Sequence, residues 1–182
     1  MNAVCPAGLT PLSGADAGFV PLTDLFRAAL RLAPEPVAVV TTSCEGHRHG
    51  MTATAFASVS AEPPKVLVCI NRNTVSSGLI RRAGQFAVNF LTTNDRDLAE
   101  KFSRTKSDAE HLFLGAGCSV MATGAPVLDC ATASIDCVLD ECHDGGTHHI
   151  VVGNVVAVRI NGGQTLLYCA GLFGSFQVQG QS

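Results

Sequence analysis

The apolar positions of this chain recur mostly in short, strand-like runs. Val37-Ala-Val-Val-Thr-Thr-Ser43 is rich in β-branched residues and predicts a strand. A turn at Glu45-Gly46 follows, and His49 to Ser60 reads as an extended return segment broken by Glu62-Pro63-Pro64. Val66-Leu-Val-Cys-Ile-Asn71 is apolar almost throughout and predicts a central strand, and Gln85 to Leu91 predicts the next. Ala131 to Cys142 alternates, with Ala133, Ile135, Cys137 and Leu139 on one face and Ser134, Asp136 and Asp140 on the other. Asp144-Gly145-Gly146 is a hairpin signal. Beyond it lie a long strand from Ile150 to Ile160, a turn at Asn161-Gly162-Gly163, and a last strand from Thr165 to Cys169.

Helical periodicity is confined to short stretches. Thr23 is an expected N-cap for Asp24 to Leu32, which places Leu25, Phe26, Ala29 and Leu32 on one face before Pro34 stops the helix. Thr74 to Arg82 predicts a helix capped by Thr74 or Ser76 and closed near Gly84. Thr93 or Asn94 starts a third, through Phe102, with Asp95 and Asp97 in its first turn, where they suit the helix dipole. A fourth piece, Ser107 to Leu112, ends at the Gly115/Gly117 breaker. Residues 1–21 are Gly-, Ala-, Pro- and Ser-rich without periodicity and read as a flexible arm. Residues 22–176 form one domain, and 177–182 a tail. Meandering strands with a few helices predict a mainly β fold, a barrel with short peripheral helices. No GxGxxG follows a strand, so a Rossmann site is not supported.

Composition narrows the function. Of 182 residues 47% are hydrophobic and only 15% charged, against about 25% in an average globular chain. Disorder is excluded by that balance. The 12 Lys and Arg against 15 Asp and Glu leave no basic excess for nucleic acid. No apolar run approaches the roughly 20 residues of a membrane span. So little charge predicts that another copy covers part of the surface, hence a homo-oligomer. The eight cysteines are even in number, but no Lys or Arg precedes Arg27 to form the charged region of a secretion signal. A cytoplasmic chain with reduced thiols is expected, with Cys69, Cys137 and Cys169 buried as small hydrophobes. Cys137, Cys142, His143, His148 and His149 could suggest zinc. However, no CxxC is present, and Cys137 and Cys142, an odd number apart on a strand, should face opposite sides. The cluster is therefore expected to be a hairpin with a polar tip and to hold no metal.

Three stretches could carry chemistry. His49 to Ser60 is uncharged, with small side chains and hydroxyls that would let a flat ligand reach the backbone; the same pattern suits a barrel strand with small inward residues. Asn71-Arg72-Asn73-Thr74-Val75-Ser76-Ser77 leaves a strand and opens a helix, an arrangement that binds phosphate or simply caps the helix. His148 follows the hairpin tip, where a histidine can bind phosphate, stack on a ring or move a proton. No GxSxG and no paired-carboxylate pattern is present, so any reaction should borrow a cofactor.

In this order, the segments resemble the flavin reductase-like family, the reductase components of two-component flavin-dependent monooxygenases. The resemblance is carried by Pro36 to Thr42, Gly50 to Pro64, Val66 to Arg72, Phe86 to Leu91, Leu98 to Phe102, Gly124 to Leu128, His148 to Gly153, and Leu167-Tyr168 with Gly171. It spans about residues 22–176 and implies an FMN-binding split β-barrel of Greek-key type. It also implies an NAD(P)H:flavin oxidoreductase that passes reduced FMN or FAD to a separate monooxygenase, and a homodimer.

Under that resemblance, Thr52, Ala53, Thr54, Ala55, Ser58, Val59 and Ser60 would line the isoalloxazine and ribityl chain. Asn71, Ser76 and Ser77 would hold the phosphate end, and Phe102 and Ser103 would lie near the flavin. His148, at the nicotinamide side, would be the catalytic position. Thr147, Ala170 and Phe173 depart from the Asp, Arg and Tyr common in the family. The absence of an Arg cluster near His148 favours NADH over NADPH. The alternatives are a flavin- or haem-binding split barrel without turnover, or a reductase of a corrinoid or metal complex.

Overall fold

The computed structural model describes residues 20–104 and 109–177. The chain begins with α1 (Leu22–Leu30), β1 (Glu35–Pro36), β2 (Ala38–Cys44), β3 (His47–Ala53), β4 (Phe56–Ala61) and β5 (Pro64–Asn71). Helix α2 (Val75–Ala83), β6 (Gln85–Phe90), a 3-10 turn, α3 (Arg96–Arg104) and α4 (Glu110–Ala116) follow. The chain then runs through β7 (Cys118–Val120), β8 (Pro126–Leu128), β9 (Ala133–Asp144), β10 (His148–Ile160), β11 (Leu167–Cys169) and β12 (Leu172–Gly174). All but the innermost positions of the expected arm and tail lie outside the described residues, as does the start of the predicted helix at Ser107.

Seven antiparallel strands form one sheet in the order β3-β2-β6-β9-β10-β5-β4. Its two outermost strands, β3 and β4, are consecutive in the chain and joined only by Thr54 and Ala55, so the sheet curls back on itself as a barrel. The Cys69 amide donates to Ala55 O across the join (3.0 Å). The strand from Val66, read as central, is in fact β5, one place from the end of the order; its inward residues are buried and the alternate ones half-buried.

Alternation along β2 sorts two cores. Ala38 and Val40 point into the barrel with Val68, Ile70, Phe86, Val88, Cys137 and Val151. Val37, just before the strand, and Val39 point outward, beneath Phe102, Leu112 and Phe113 of α3 and α4. Gly153 leaves room inside the barrel: a Cβ there would stand 2.6 Å from Phe86 Cζ.

The polar face read on β9 splits: Asp140 is exposed, whereas the other two side chains of that face are not. Ser134 and Asp136 are fully buried. Ser134 Oγ donates to Asn89 Oδ1 (2.9 Å), and Asp136 accepts from the Thr123 amide (2.9 Å) and its hydroxyl. Asn89 uses both ends of its amide: Nδ2 donates to Val39 O and Thr41 Oγ1, and Oδ1 also accepts from Leu128 N. Every polar atom there has a partner, which is the condition for burial.

Cys137 and Cys142 also depart from expectation. Val152 pairs with Glu141 and Gly153 with Leu139, so Asp140 is bulged out. The extra residue resets the alternation, and both cysteines pack on the barrel core. Of the described cysteines only Cys137 is fully buried, where desolvation pushes its thiol up to about 12; Cys69 and Cys169 are half-buried.

Helix α1 starts at Leu22, with Pro21 rather than Thr23 at the cap and no side-chain cap bond. Its apolar face is not packed: Leu25 and Phe26 are exposed and no residue of α1 is buried. Thr74 caps α2 as expected, and Gly84 closes it at φ +68°. Thr92, rather than Thr93 or Asn94, opens the third helical region through a capping box with Asp95. Strand β11 falls within the predicted Thr165 to Cys169, but its partner β12 and the hairpin β7-β8 were not legible, because strands of three residues carry too few positions for a period.

Candidate functional site

A cleft of about 590 Å³ opens where the barrel edge meets α2 and α3. Strand β3 supplies His49, Met51 and Thr52. Asn71 ends β5, Asn73 and Thr74 lead into α2, and Val75 and Ser76 begin that helix. Phe102, Ser103 and Arg104, at the end of α3, form the opposite wall.

A second cavity, of about 700 Å³, lies between α3 and α4 and borders the first at Arg104. It contains none of the residues expected from sequence to contact a cofactor. The first contains five: Thr52, Asn71, Ser76, Phe102 and Ser103.

Local geometry fixes the cleft walls. Thr52 Oγ1 donates to Ala99 O (2.6 Å), tying β3 to α3. A Cβ on Gly50 would lie 2.7 Å from Phe102, so the small residue lets the ring close against the strand. Phe102 in turn meets Phe113 edge-on at 5.3 Å. Arg48 stacks over Phe113 (5.3 Å) and pairs with Glu110, fixing α4 behind that wall.

At the other wall the chain is wound tightly into α2. Asn71 Oδ1 accepts from Asn73 N (3.0 Å), and Thr74 Oγ1 donates to Asn71 O (2.8 Å) and accepts from Ser77 N (3.4 Å). The amides of Val75 and Ser76, in the first turn, have no intrahelical acceptor. Ser76 Oγ hydrogen-bonds His49 Nδ1 at 2.9 Å, and Ser77 Oγ bonds His149 Nδ1 at 2.7 Å. Both serine hydroxyls are therefore already engaged, and both serines are buried. His49 is 4% exposed; burial lowers its pKa, keeping the ring neutral. Its Nε2 is buried with no hydrogen-bond partner.

The other sequence-predicted residues lie elsewhere. Ala53 ends β3, and Thr54, beyond it, faces a small pocket with Arg31 and Tyr168. Ala55 is in the strand join. Ser58 and Val59 are exposed on β4, at a bulge, and Ser60 accepts from Glu62 N. His148 is exposed at the start of β10, opposite Asn71 in register, with Nδ1 2.8 Å from Thr147 Oγ1. His49, Met51, Asn73, Thr74 and Val75, which lie in the stretches singled out from sequence but were given no individual role, also line the cleft, and so does Arg104, which was not singled out. The alternation of His49 with Met51 on β3 was the available signal. Among the described residues no group of three or more His, Cys, Asp or Glu is arranged for a metal ion, and no helix is long and apolar enough to cross a membrane.

The flavin reductase-like domain profile matches residues 30–177. The chain belongs to the flavin reductase-like family. An FMN reductase (NADH) RutF of Agrobacterium fabrum is 40% identical over 144 residues, covering 79% of this chain and 82% of that protein. The actinorhodin polyketide dimerase of Streptomyces coelicolor is 39% identical over 137 residues, 75% of this chain and 76% of that protein. Among solved structures, the NADH:FAD oxidoreductase SgcE6 of Streptomyces globisporus, in complex with NAD and FAD fragments, superposes with a TM-score of 0.81. It has 28% identity over 91% of this chain and all of that one. The flavin reductase PheA2 superposes at 0.77, with 29% identity over 85% of this chain and 98% of that one. The split-barrel fold expected from sequence is the fold of this family. The cleft's features suit the family's cofactor: an aromatic wall at Phe102 and first-turn amides at the start of α2.

Proposed function

We propose that this protein is an NADH-dependent flavin reductase that lends reduced flavin to a separate monooxygenase. The observation that carries the reading is the convergence of Thr52, Asn71, Ser76, Phe102 and Ser103 on one cleft at the barrel split in a chain of this family. Bound flavin would supply the hydride acceptor, with NADH as donor. The chain's part is to bind, orient and keep the slot dry. Phe102, backed by Phe113, offers an apolar wall, and Asn71, Asn73 and the amides of Val75 and Ser76 offer polar contacts at the other end. No ionised carboxylate lines the cleft, so positioning rather than acid–base chemistry is what these residues provide. His148, on the strand next to Asn71, is proposed to contact the nicotinamide from the rim.

The partner reading is supported by relatives that include the flavin reductase component of a two-component tryptophan halogenase, BorF, and the styrene monooxygenase flavin reductase of Pseudomonas putida. A homodimer in the cytoplasm completes the proposal. Val156, Val158 and Ile160 are exposed along β10, as are Leu22 and Phe26 on α1, and a second copy would cover such apolar surface. The test is NADH oxidation by the purified protein with FMN, with FAD and with neither. Flavin-dependent consumption is expected, and its absence with both flavins would refute the reading.

A further inference from the structure

His148 is the first residue of β10, exposed, and follows directly on the turn at Gly145-Gly146. Residues paired across antiparallel strands project to the same face. His148, opposite Asn71 in register, therefore stands beside a residue that lines the cleft. The Gly145 amide donates to His148 O (2.8 Å). That bond closes the turn on itself but does not fix the turn to the cleft, and two adjacent glycines leave a hairpin tip free to swing.

The anchors lie on both sides of His148. Ahead of it, Arg72 bonds the tip twice: its amide donates to Thr147 O (3.1 Å) and Nη1 donates to Gly146 O (2.9 Å). Asp144 Oδ1 stands 3.8 Å from the same Nη1 and accepts from the Gly146 amide (2.9 Å). Behind it, His149 turns to the opposite face of the strand, where Nδ1 lies 2.7 Å from Ser77 Oγ of α2. Arg72 is not part of the cleft lining. Its guanidinium reaches away to the hairpin, while its neighbours Asn71 and Asn73 face the cleft.

We infer that Arg72 is a positioning residue for the hydride donor: it straps the β9-β10 hairpin to the passage from β5 into α2 and so holds His148 at the rim. The inference rests on the reading of His148 as the nicotinamide contact. The bond from the guanidinium to Gly146 O carries the strap, since the ion pair with Asp144 is exposed and contributes little. The backbone bond from Arg72 to Thr147 survives any change of side chain. Removing the guanidinium therefore loosens the tip without unpairing β10 from β5.

The test is steady-state oxidation of NADH with FMN, beside titration of FMN by flavin fluorescence. Arg72→Met keeps the apolar stem and removes the donors. It should raise the KM for NADH about twofold to tenfold, the weight of one hydrogen bond, with kcat and the affinity for FMN nearly unchanged. Arg72→Lys, which can still donate to Gly146 O, should recover part of the loss. In a His148→Ala background Arg72→Met should raise the KM no further, because a residue that acts through another has no effect once that one is gone. Amide hydrogen exchange over residues 144–148 should quicken in Arg72→Met, while β10 beyond Ile150 keeps its protection. A KM that still rises in full without His148 overturns the inference, and so does faster exchange at the tip with an unchanged KM. A loss of FMN affinity in Arg72→Met makes Arg72 a flavin ligand and overturns it as well. If His148→Ala raises the KM and Arg72→Met does not, the inference falls and the reading of His148 stands. If His148→Ala leaves the KM unchanged, that reading falls and takes the inference with it.

Discussion

The Cβ that Gly153 lacks would stand 2.6 Å from Phe86 Cζ and 2.8 Å from Cys137 Cβ. The barrel interior is filled up to the backbone of β10 at this point. Gly153→Ala therefore has nowhere to put its methyl except by displacing a ring that is itself fully buried. Overpacking of this kind costs about 1–3 kcal/mol. Urea unfolding should record that loss, and Phe86→Leu in the same chain should recover part of it.

Phe102 joins the outer core to the cleft. Replacing it with Ala removes its edge contact with Phe113 and the wall facing the ligand. A loss of about 3–5 kcal/mol in stability is expected for a buried phenylalanine, together with weaker flavin binding. Phe102→Leu should restore most of the stability but less of the affinity, because a flat aromatic wall is lost. Calorimetry and flavin titration read the two separately.

His49 gives stability a pH dependence of known sign. Its folded pKa is lowered by burial, so between the folded value and the unfolded value of about 6.5 the unfolded chain binds more protons. Stability therefore rises with pH across that window and is lost as pH falls from about 6.5 toward the folded value. The melting temperature of the wild type should drop on acidification through this range. His49→Gln, which cannot take up the proton, should show a smaller drop.

The exposed apolar run on β10 predicts an interface. Val158→Glu places a charge among Val156 and Ile160, each about half exposed or more. In sedimentation experiments this variant should shift a dimer toward monomer, with little change in monomer secondary structure. A wild type that sediments as a monomer would remove the homodimer from the proposal.

Much of the fold could be read from residue order, and the failures have physical causes. Strands β2, β5, β6, β9 and β10 were legible because each carries six or more patterned residues. The two faces of β9 were legible as far as Leu139, but not that Ser134 and Asp136 would be buried on theirs. Alternation reports polarity, and these polar side chains are buried against partners from distant segments, Asn89 and Thr123. The facing of Cys142 was misread because a bulge at Asp140 leaves no mark in the pattern. In the cleft, Asn71 and Ser76 were foreseen from the strand-to-helix passage. His49 falls in a stretch singled out from sequence, but its burial and its bond to Ser76 show only in the folded arrangement. Arg104 lines the cleft only because α3 ends there.

Asn89 can also be seen as a proofreading device for strand pairing. Its single amide checks four positions at once: Val39, Thr41, Leu128 and Ser134, drawn from β2, β8 and β9. Sliding β6 by one residue would turn this amide to the opposite face and strand buried donors and acceptors on three neighbours together. The surrounding valines would tolerate such a slip far better, since one apolar contact resembles another. A barrel built largely of interchangeable aliphatic side chains thus acquires an unambiguous register from one polar residue. Because β2 leads directly into the histidine-bearing strand of the cleft, an alignment error anywhere in that set would also misplace the binding site.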